Sequence, residues 1–163
     1  MHTAVYHSPL GPLEIQCSDD HVTAVLFTAE TSTAENQSHP LLQSCLMQLD
    51  EYFSGKRKTF NLPLAQPGTP FQQKVWELLY MIPFGKTISY HQLAMQYGDL
   101  KAIRAVASAN GKNNLAIIIP CHRVIGSNRS LTGYAGGLWR KKWLLEHEAK
   151  HHTGVAQLGL LLG

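Results

Sequence analysis

The run Ile117-Ile118-Ile119-Pro120-Cys121-His122-Arg123-Val124-Ile125 constrains this chain more than any other stretch. Consecutive β-branched residues bounded by a turn signal read as a buried strand, because such a run fits a pleated interior. The run stops at a proline and then delivers a cysteine, a histidine and an arginine in succession. Packing supplies no reason for that triplet, whereas a cysteine beside His and Arg is the surrounding that lowers a thiol's pKa. Cys121 is therefore read as a nucleophile that the rest of the chain positions.

The thiolate is the reactive form, so a working cysteine needs a base or a field that favours ionisation. His122 can be that base, although neighbouring side chains on a strand point to opposite faces. Either the chain leaves strand geometry after Pro120 or a water bridges the two groups. A third group has to fix the tautomer of the histidine. Glu146 and Glu148 are the candidates, since the terminal helix must fold back somewhere. Arg123 reads as a structural ion-pair partner or as a phosphate contact.

A chain of 163 residues suits one ordinary domain or two small ones packed together. No window approaches the roughly eighteen consecutive apolar residues of a membrane span. The opening Met1-His2-Thr3-Ala4-Val5-Tyr6 lacks the basic start and apolar core of a signal peptide, so a cytoplasmic protein with no membrane partner is expected. Cys17, Cys45 and Cys121 are odd in number and widely spaced, which points to reduced thiols. No metal and no cofactor are expected. Charge is unevenly spread: residues 1–85 carry four Lys and Arg against eight acids, and residues 86–163 carry ten against three. The half that holds Cys121 is the basic half, which suggests a polyanionic partner, nucleic acid first.

Along the chain, Tyr6 to Cys17 alternates around a Pro/Gly turn and predicts a β-hairpin, with Val22 to Phe27 as a third strand. Thr28 to His39 reads as a loop. Leu41, Leu42, Cys45, Leu46, Leu49 and Phe53 predict a helix from about Pro40, stopped by Gly55. Phe60 to Leu64 is a further short-strand candidate. Ala65-Gln66-Pro67-Gly68 reads as a linker, giving domains over 1–66 and 67–150 and a tail over 151–163. Thr69-Pro70 opens a helix with Phe71, Val75, Leu78, Leu79 and Ile82 on one face. Ser89-Tyr90-His91-Gln92 fits a capping box for a short helix that ends at Gly98. A second short helix from about Lys101 to Asn110 makes either a helix-turn-helix or an ordinary αα-corner. That second helix is built of small residues, which suits close packing against a helix or close approach to DNA with Arg104 reaching out. Gly126 to Ser130 reads as a hairpin-like turn and Thr132 to Gly137 as a loop whose glycines admit a ligand. The last helix is expected from Leu138 to about Ala149, displaying Arg140, Lys141 and Lys142.

The run Ile119-Pro120-Cys121-His122-Arg123-Val124-Ile125 resembles the active-site signature of the O6-alkylguanine-DNA alkyltransferases. The likeness extends through Gly68-Thr69-Pro70-Phe71, Ile88-Ser89-Tyr90, Arg104-Ala105-Val106, Asn113, Gly133-Tyr134-Ala135-Gly136-Gly137 and Leu144-Leu145-Glu146-His147-Glu148. The resemblance implies a ribonuclease H-like α/β N-terminal domain, a small antiparallel sheet with a helix. It implies a mainly α, winged-helix-like catalytic domain carrying a helix-turn-helix after it. It implies a single-turnover transfer of the alkyl group from O6-alkylguanine in double-stranded DNA to Cys121, with O4-alkylthymine as a further candidate substrate. By the same resemblance His122 acts as base through a water, Glu148 orients it, and Tyr90 hydrogen-bonds guanine N3. The carbonyls of Cys121 and Val124 receive the exocyclic amine, the Ala135 N–H faces O6, and Tyr134 walls the pocket. Arg104 fills the gap left by the flipped nucleotide, approached through the minor groove with Ala105, Ser89 and Tyr90 on the DNA. Asn113 ties the helix-turn-helix to the active-site segment, and the protein acts as a monomer.

The chain departs from some relatives at Asn114-Leu115-Ala116, where they carry a proline. The small Ala116 should change the grip on bulky O6 substituents. A structural zinc held by some relatives in the first domain finds no matching Cys/His set here. A DNA-binding or damage-sensing helix-turn-helix protein without chemistry is the alternative reading, and Cys121 counts against it. A cysteine hydrolase would need oxyanion donors that the sequence does not reveal.

Overall fold

The computed structural model describes residues 1–29, 38–128, 130–131 and 133–152. Most of the expected loop from Thr28 to His39, Arg129 and Thr132 within the later turns, and the tail from residue 153 lie outside the described residues. The chain divides into two compact units, Met1–Pro67 with Asn114–Ile118 and Gly68–Asn113 with Ile119–Gly163.

In the first unit, β1 (His2–Ser8), β2 (Gly11–Cys17) and β3 (Val22–Phe27) form an antiparallel sheet in the order β1-β2-β3. The hairpin closes Ser8 on Gly11. Ser8 Oγ accepts the Leu10 N–H and donates to the Gly11 carbonyl, and Gly11 takes φ +104°. Alternation along β2 sends Leu13, Ile15 and Cys17 into the core. α1 (Pro40–Phe53) covers that face with Leu42, Cys45, Leu49 and Tyr52, a stripe at helical spacing. Each such fully buried side chain contributes about 1.5–3 kcal/mol relative to exposure. The helix starts where His39 Nδ1 accepts the Leu41 N–H. The strand expected over Phe60–Leu64 shrinks to one parallel bridge between Leu64 and Val22. Pro63 has no N–H to extend a ladder, and only its carbonyl is used, by Val22 N–H at 2.8 Å.

In the second unit, α2 (Pro70–Tyr80) opens with a reciprocal Thr69–Gln72 capping box. β4 (Ile88–Ser89) leads into α3 (Tyr90–Tyr97), whose Ser89–Gln92 capping box and left-handed Gly98 mark both ends. Asp99 then caps a 3-10 turn over Leu100–Ala102 before α4 (Ile103–Gly111) begins. The expected continuous helix from Lys101 therefore starts later. The Asp99 side chain takes the Lys101 N–H and tightens the first turn. Trp76 of α2 donates its indole N–H to the Ala109 carbonyl at 2.9 Å, which fixes α4 against α2. α5 (Leu138–His152) runs past Ala149, since no breaker precedes Gly154 and its basic last turn suits the helix dipole. A small antiparallel sheet with a helix followed by a helical unit with a helix-turn-helix is the expected fold class. None of the described helices is long and apolar enough to cross a membrane.

The Ile117–Ile119 strand is not formed. Ile117 takes φ +72°, and the Ile118 N–H closes on the Ala116 carbonyl at 2.8 Å, a γ-turn. The Cys121 N–H closes on the Ile119 carbonyl at 2.8 Å around Pro120, and Cys121–Arg123 then winds as a 3-10 turn. Only β5 (Val124–Ile125) is extended, pairing in parallel with β4. All three isoleucines are buried, so the apolar run reported burial correctly and backbone shape incorrectly. Burial alone does not supply a neighbouring strand for the ladder.

Candidate active site

The 3-10 turn places Cys121, His122 and Arg123 in the interior together. Two amides from the C-terminal end of α4 and just beyond it hold this turn. Asn113 Nδ2 donates to the Ile119 carbonyl at 2.9 Å and lies 3.4 Å from Cys121 Sγ. Asn110 Nδ2 donates to the Cys121 carbonyl at 3.4 Å. Burial pushes the Cys121 thiol above its usual 9.0, with Asn113 and Lys141 pulling the other way. The low thiol pKa expected from the sequence is thus reversed. Arg123 spends its charge on a carboxylate, and burial pushes His122 below its usual 6.5, towards the neutral form. Such a thiol needs a base to ionise it.

A group able to do so is built by side chains from two segments, the Cys121–Arg123 turn and α5. His122 Nε2 meets Glu148 Oε2 at 2.7 Å with both groups inaccessible to solvent. The carboxylate can only accept, so the proton sits on Nε2 and Nδ1 is left as the acceptor. Nδ1 is buried with no hydrogen-bond partner among the described residues. A buried basic nitrogen in that state fits an ordered water. Arg123 clamps Glu148 from the other side, Nε to Oε1 at 2.8 Å and Nη2 to Oε2 at 3.0 Å, and gives Nη1 to the Ile82 carbonyl at 2.6 Å. Burial pushes Glu148 up, but His122 and Arg123 outweigh it and hold the carboxyl well below the usual range. Of the two acids considered, Glu146 instead faces Lys142 at the surface. Arg123 is an ion-pair partner, with none of its charge turned outward.

Lys141 was expected on the surface and is fully buried. Its Nζ donates to the Val124 carbonyl at 2.6 Å and lies 5.8 Å from the Tyr90 ring centre. Burial pulls its pKa down to about 8, with Cys121 opposing. The signal was present in the spacing: Lys141, Leu144, Leu145 and Glu148 share one face of α5. Tyr90 starts α3, and Gly133 at φ +68° passes so close that a Cβ there would sit 3.1 Å from the phenol oxygen. Tyr134 carries its hydroxyl end inside, where burial and then Cys121 raise its pKa well above 10.0. Ala135 is exposed on the same loop.

On α4, Arg104 and Ala105 are exposed while Val106, Ala109 and Asn110 are buried. The thin outer face is therefore open, with Arg104 its long side chain. Ser89 is occupied as the cap of α3, its Oγ accepting the Gln92 N–H at 3.0 Å.

His147-Glu148-Ala149-Lys150-His151 spells H-E-x-x-H, a zinc-protease spacing. It makes no such site: Glu148 is consumed by His122 and Arg123, and His147 stacks on Trp143. In the first unit, ligand atoms of His2, Asp19 and His39 lie within 4.8 Å of one another, a grouping the sequence did not reveal. His2 there pairs with Asp19 at 2.8 Å, and His39 Nδ1 caps α1.

A buried thiol beside a neutral, carboxylate-oriented histidine, in a unit that also carries a helix-turn-helix, defines a cysteine nucleophile built into a DNA-binding type of fold. Residues 70–150 match the model of the 6-O-methylguanine DNA methyltransferase DNA binding domain, and residues 1–66 match its ribonuclease-like domain. The chain is 50% identical over 137 residues to the constitutive methylated-DNA–protein-cysteine methyltransferase of Bacillus subtilis, covering 79% of this chain and 83% of that one. It is 40% identical over 153 residues to the methylated-DNA–protein-cysteine methyltransferase of Methanosarcina acetivorans, covering 91% and 98%. The solved structure of Mycobacterium tuberculosis OGT in complex with DNA superposes with a TM-score of 0.85 at 42% identity, covering 98% and 99%. The chain belongs to the 6-O-methylguanine DNA methyltransferase family.

Proposed function

We propose that this protein repairs alkylated DNA directly, by moving the alkyl group of O6-alkylguanine onto its own Cys121. The observation that carries the reading is the buried Cys121 beside His122, whose Nε2 is fixed by Glu148 and whose Nδ1 is left to accept a proton. The thiol proton passes to Nδ1 through a water, and Sγ attacks the alkyl carbon. The S–C bond forms as the C–O6 bond breaks, and the electron pair stays with the purine. Tyr90 supports the charge arriving at N3, and the purine takes up the proton and leaves as guanine. Lys141 places a positive charge beside this exchange and holds the Val124 carbonyl.

The target carbon is out of reach inside a duplex, so the nucleotide is flipped. Arg104 enters the gap, with Ala105, Ser89 and Tyr90 along a minor-groove contact and Asn113 bracing the turn that carries Cys121. Tyr134, the Ala135 N–H and the Val124 carbonyl line the purine site. The thioether has no route back to a thiol, so each molecule reacts once, as a monomer in the cytoplasm and without a cofactor. Residues 67–150 carry the reaction and 1–66 form a separate domain. The test is intact-mass and peptide analysis after incubation with a duplex containing O6-methylguanine. One methyl group on Cys121 per molecule is expected, and its absence would overturn the reading.

A further inference from the structure

The peptide unit between Gly136 and Gly137 is held at both ends. Its N–H donates to the Tyr134 carbonyl at 3.0 Å, and its carbonyl accepts Arg140 Nη1 at 2.9 Å. The Tyr134 carbonyl in turn shares a peptide unit with the Ala135 N–H. A guanidinium is thus linked to that N–H through two peptide units, every bond running from donor to acceptor in the same direction. Helix stability gives no reason for Arg140. It stands in the first turn of α5, which holds no acid, and a cation there opposes the helix dipole. The side chain is nonetheless held in one place: its Cζ lies 4.7 Å from the centre of the Trp139 ring, a cation–π contact. The same loop reaches the nucleophile, since the inward hydroxyl end of Tyr134 lies where Cys121 acts on it.

We infer that Arg140 is a positioning residue for alkyl transfer, which aims and strengthens the Ala135 N–H through the Gly136–Gly137 and Tyr134–Ala135 peptides. The inference rests on the repair reading above, which sets that N–H against O6 of the flipped guanine. Hydrogen bonds in a chain polarise one another, so a positive charge at the head makes each N–H further along a stronger donor. As the C–O6 bond breaks, its electron pair stays with the purine and negative charge grows on O6. An aligned N–H there stabilises the transition state more than the ground state. No proton moves along the chain, since each link only donates a hydrogen bond.

The test measures single-turnover methyl transfer to Cys121 from two duplexes of one sequence, carrying O6-methylguanine or S6-methyl-6-thioguanine. Sulfur is a weak acceptor, so the second substrate takes little from a donor at that position. Arg140→Met should slow transfer about tenfold from the oxygen substrate and little from the sulfur one, as expected for one hydrogen bond drawing on a charge. Arg140→Lys keeps a cationic donor and should keep the wild-type ratio of the two rates. Equal losses on both substrates in Arg140→Met would make Arg140 a brace for the loop or a phosphate contact, and either overturns the inference. Should Arg140→Met fail to fold, as read by melting, Arg140→Gln keeps a donor without the charge, and equal losses there overturn it as well. Absence of methyl transfer from either duplex to the wild-type protein would instead sink the repair reading itself.

Discussion

Replacing Glu148 by Gln tests both the stability and the chemistry of the site. Glu148 is 1% exposed and is the only acid bonded to Arg123 and His122 among the described residues. Removing its charge leaves the Arg123 guanidinium buried and uncompensated, a loss of about 3–5 kcal/mol for a broken buried pair. Glutamine keeps one acceptor oxygen for Arg123, which favours the lower end, about 3 kcal/mol. For a domain of 150–250 residues that lowers the melting temperature by roughly 6–12 °C. The pH dependence has a definite sign. The folded-state carboxyl titrates below its usual 4.5, so its stabilisation is complete above that pH and is lost as pH falls from there towards the folded value. The wild type should therefore lose about 1.4 kcal/mol per pH unit from this group below that point, a limb that Glu148→Gln lacks. His122, held neutral by burial, weakens both proteins from its usual 6.5 downward, so the comparison is between slopes below pH 4.5. Calorimetric melting of both proteins from pH 7 to pH 3 reads the difference. A variant that melts within about 2 °C of wild type at pH 7, or that keeps the wild-type acid limb, would refute the account of this ion pair.

Lys141→Met should slow methyl transfer and abolish a gain in wild-type stability between the folded value of about 8 and the usual 10.5. In that window the unfolded chain binds the proton that the folded protein has lost, and stability rises with pH. An unchanged alkaline slope in urea titrations would count against a charged Lys141 in the interior. The buried thiol predicts that iodoacetamide alkylation of Cys121 in the folded protein keeps accelerating past pH 9.0, and a plateau below that pH would contradict the raised pKa. Arg104→Ala should weaken repair of O6-methylguanine in duplex DNA about tenfold or more while sparing reaction with O6-benzylguanine as a free base. Equal losses on the two substrates would remove Arg104 from nucleotide flipping. Gly133→Ala should destabilise the loop and slow transfer, since Gly133 has φ +68° and its Cβ would press the Tyr90 phenol at 3.1 Å; an unaffected rate would show that the loop does not pass so near.

Local signals in this chain were strong where one side chain decides one backbone bond. Ser89 announced its helix because a hydroxyl three residues ahead of a glutamine satisfies orphan N–H groups without outside help, and Thr69 announced its own as a hydroxyl cap before a proline at the first helical position. The α1 stripe and the β2 alternation were equally readable, since a period in apolar residues is a statement about one face. The reading failed over Ile117–Ile119, where three buried isoleucines follow two tight turns instead of a ladder. It failed again at Lys141, because a charged residue on a helix is assigned to solvent until a buried carbonyl is known to wait for it.

The sequence by itself determined the elements whose caps and apolar periods are local, and it set a cysteine beside a histidine at positions 121 and 122, because these depend on residue type and near spacing. The tertiary structure alone decided that the thiol is raised and the histidine neutral, since both shifts come from burial. It alone chose Glu148 over Glu146 and turned Arg123 inward, choices made by how α5 folds back across the Cys121–Arg123 turn. It also left Asn110 Oδ1 and His122 Nδ1 without a hydrogen-bond partner among the described residues, and such an acceptor has no sequence signature because it is defined by what does not reach it.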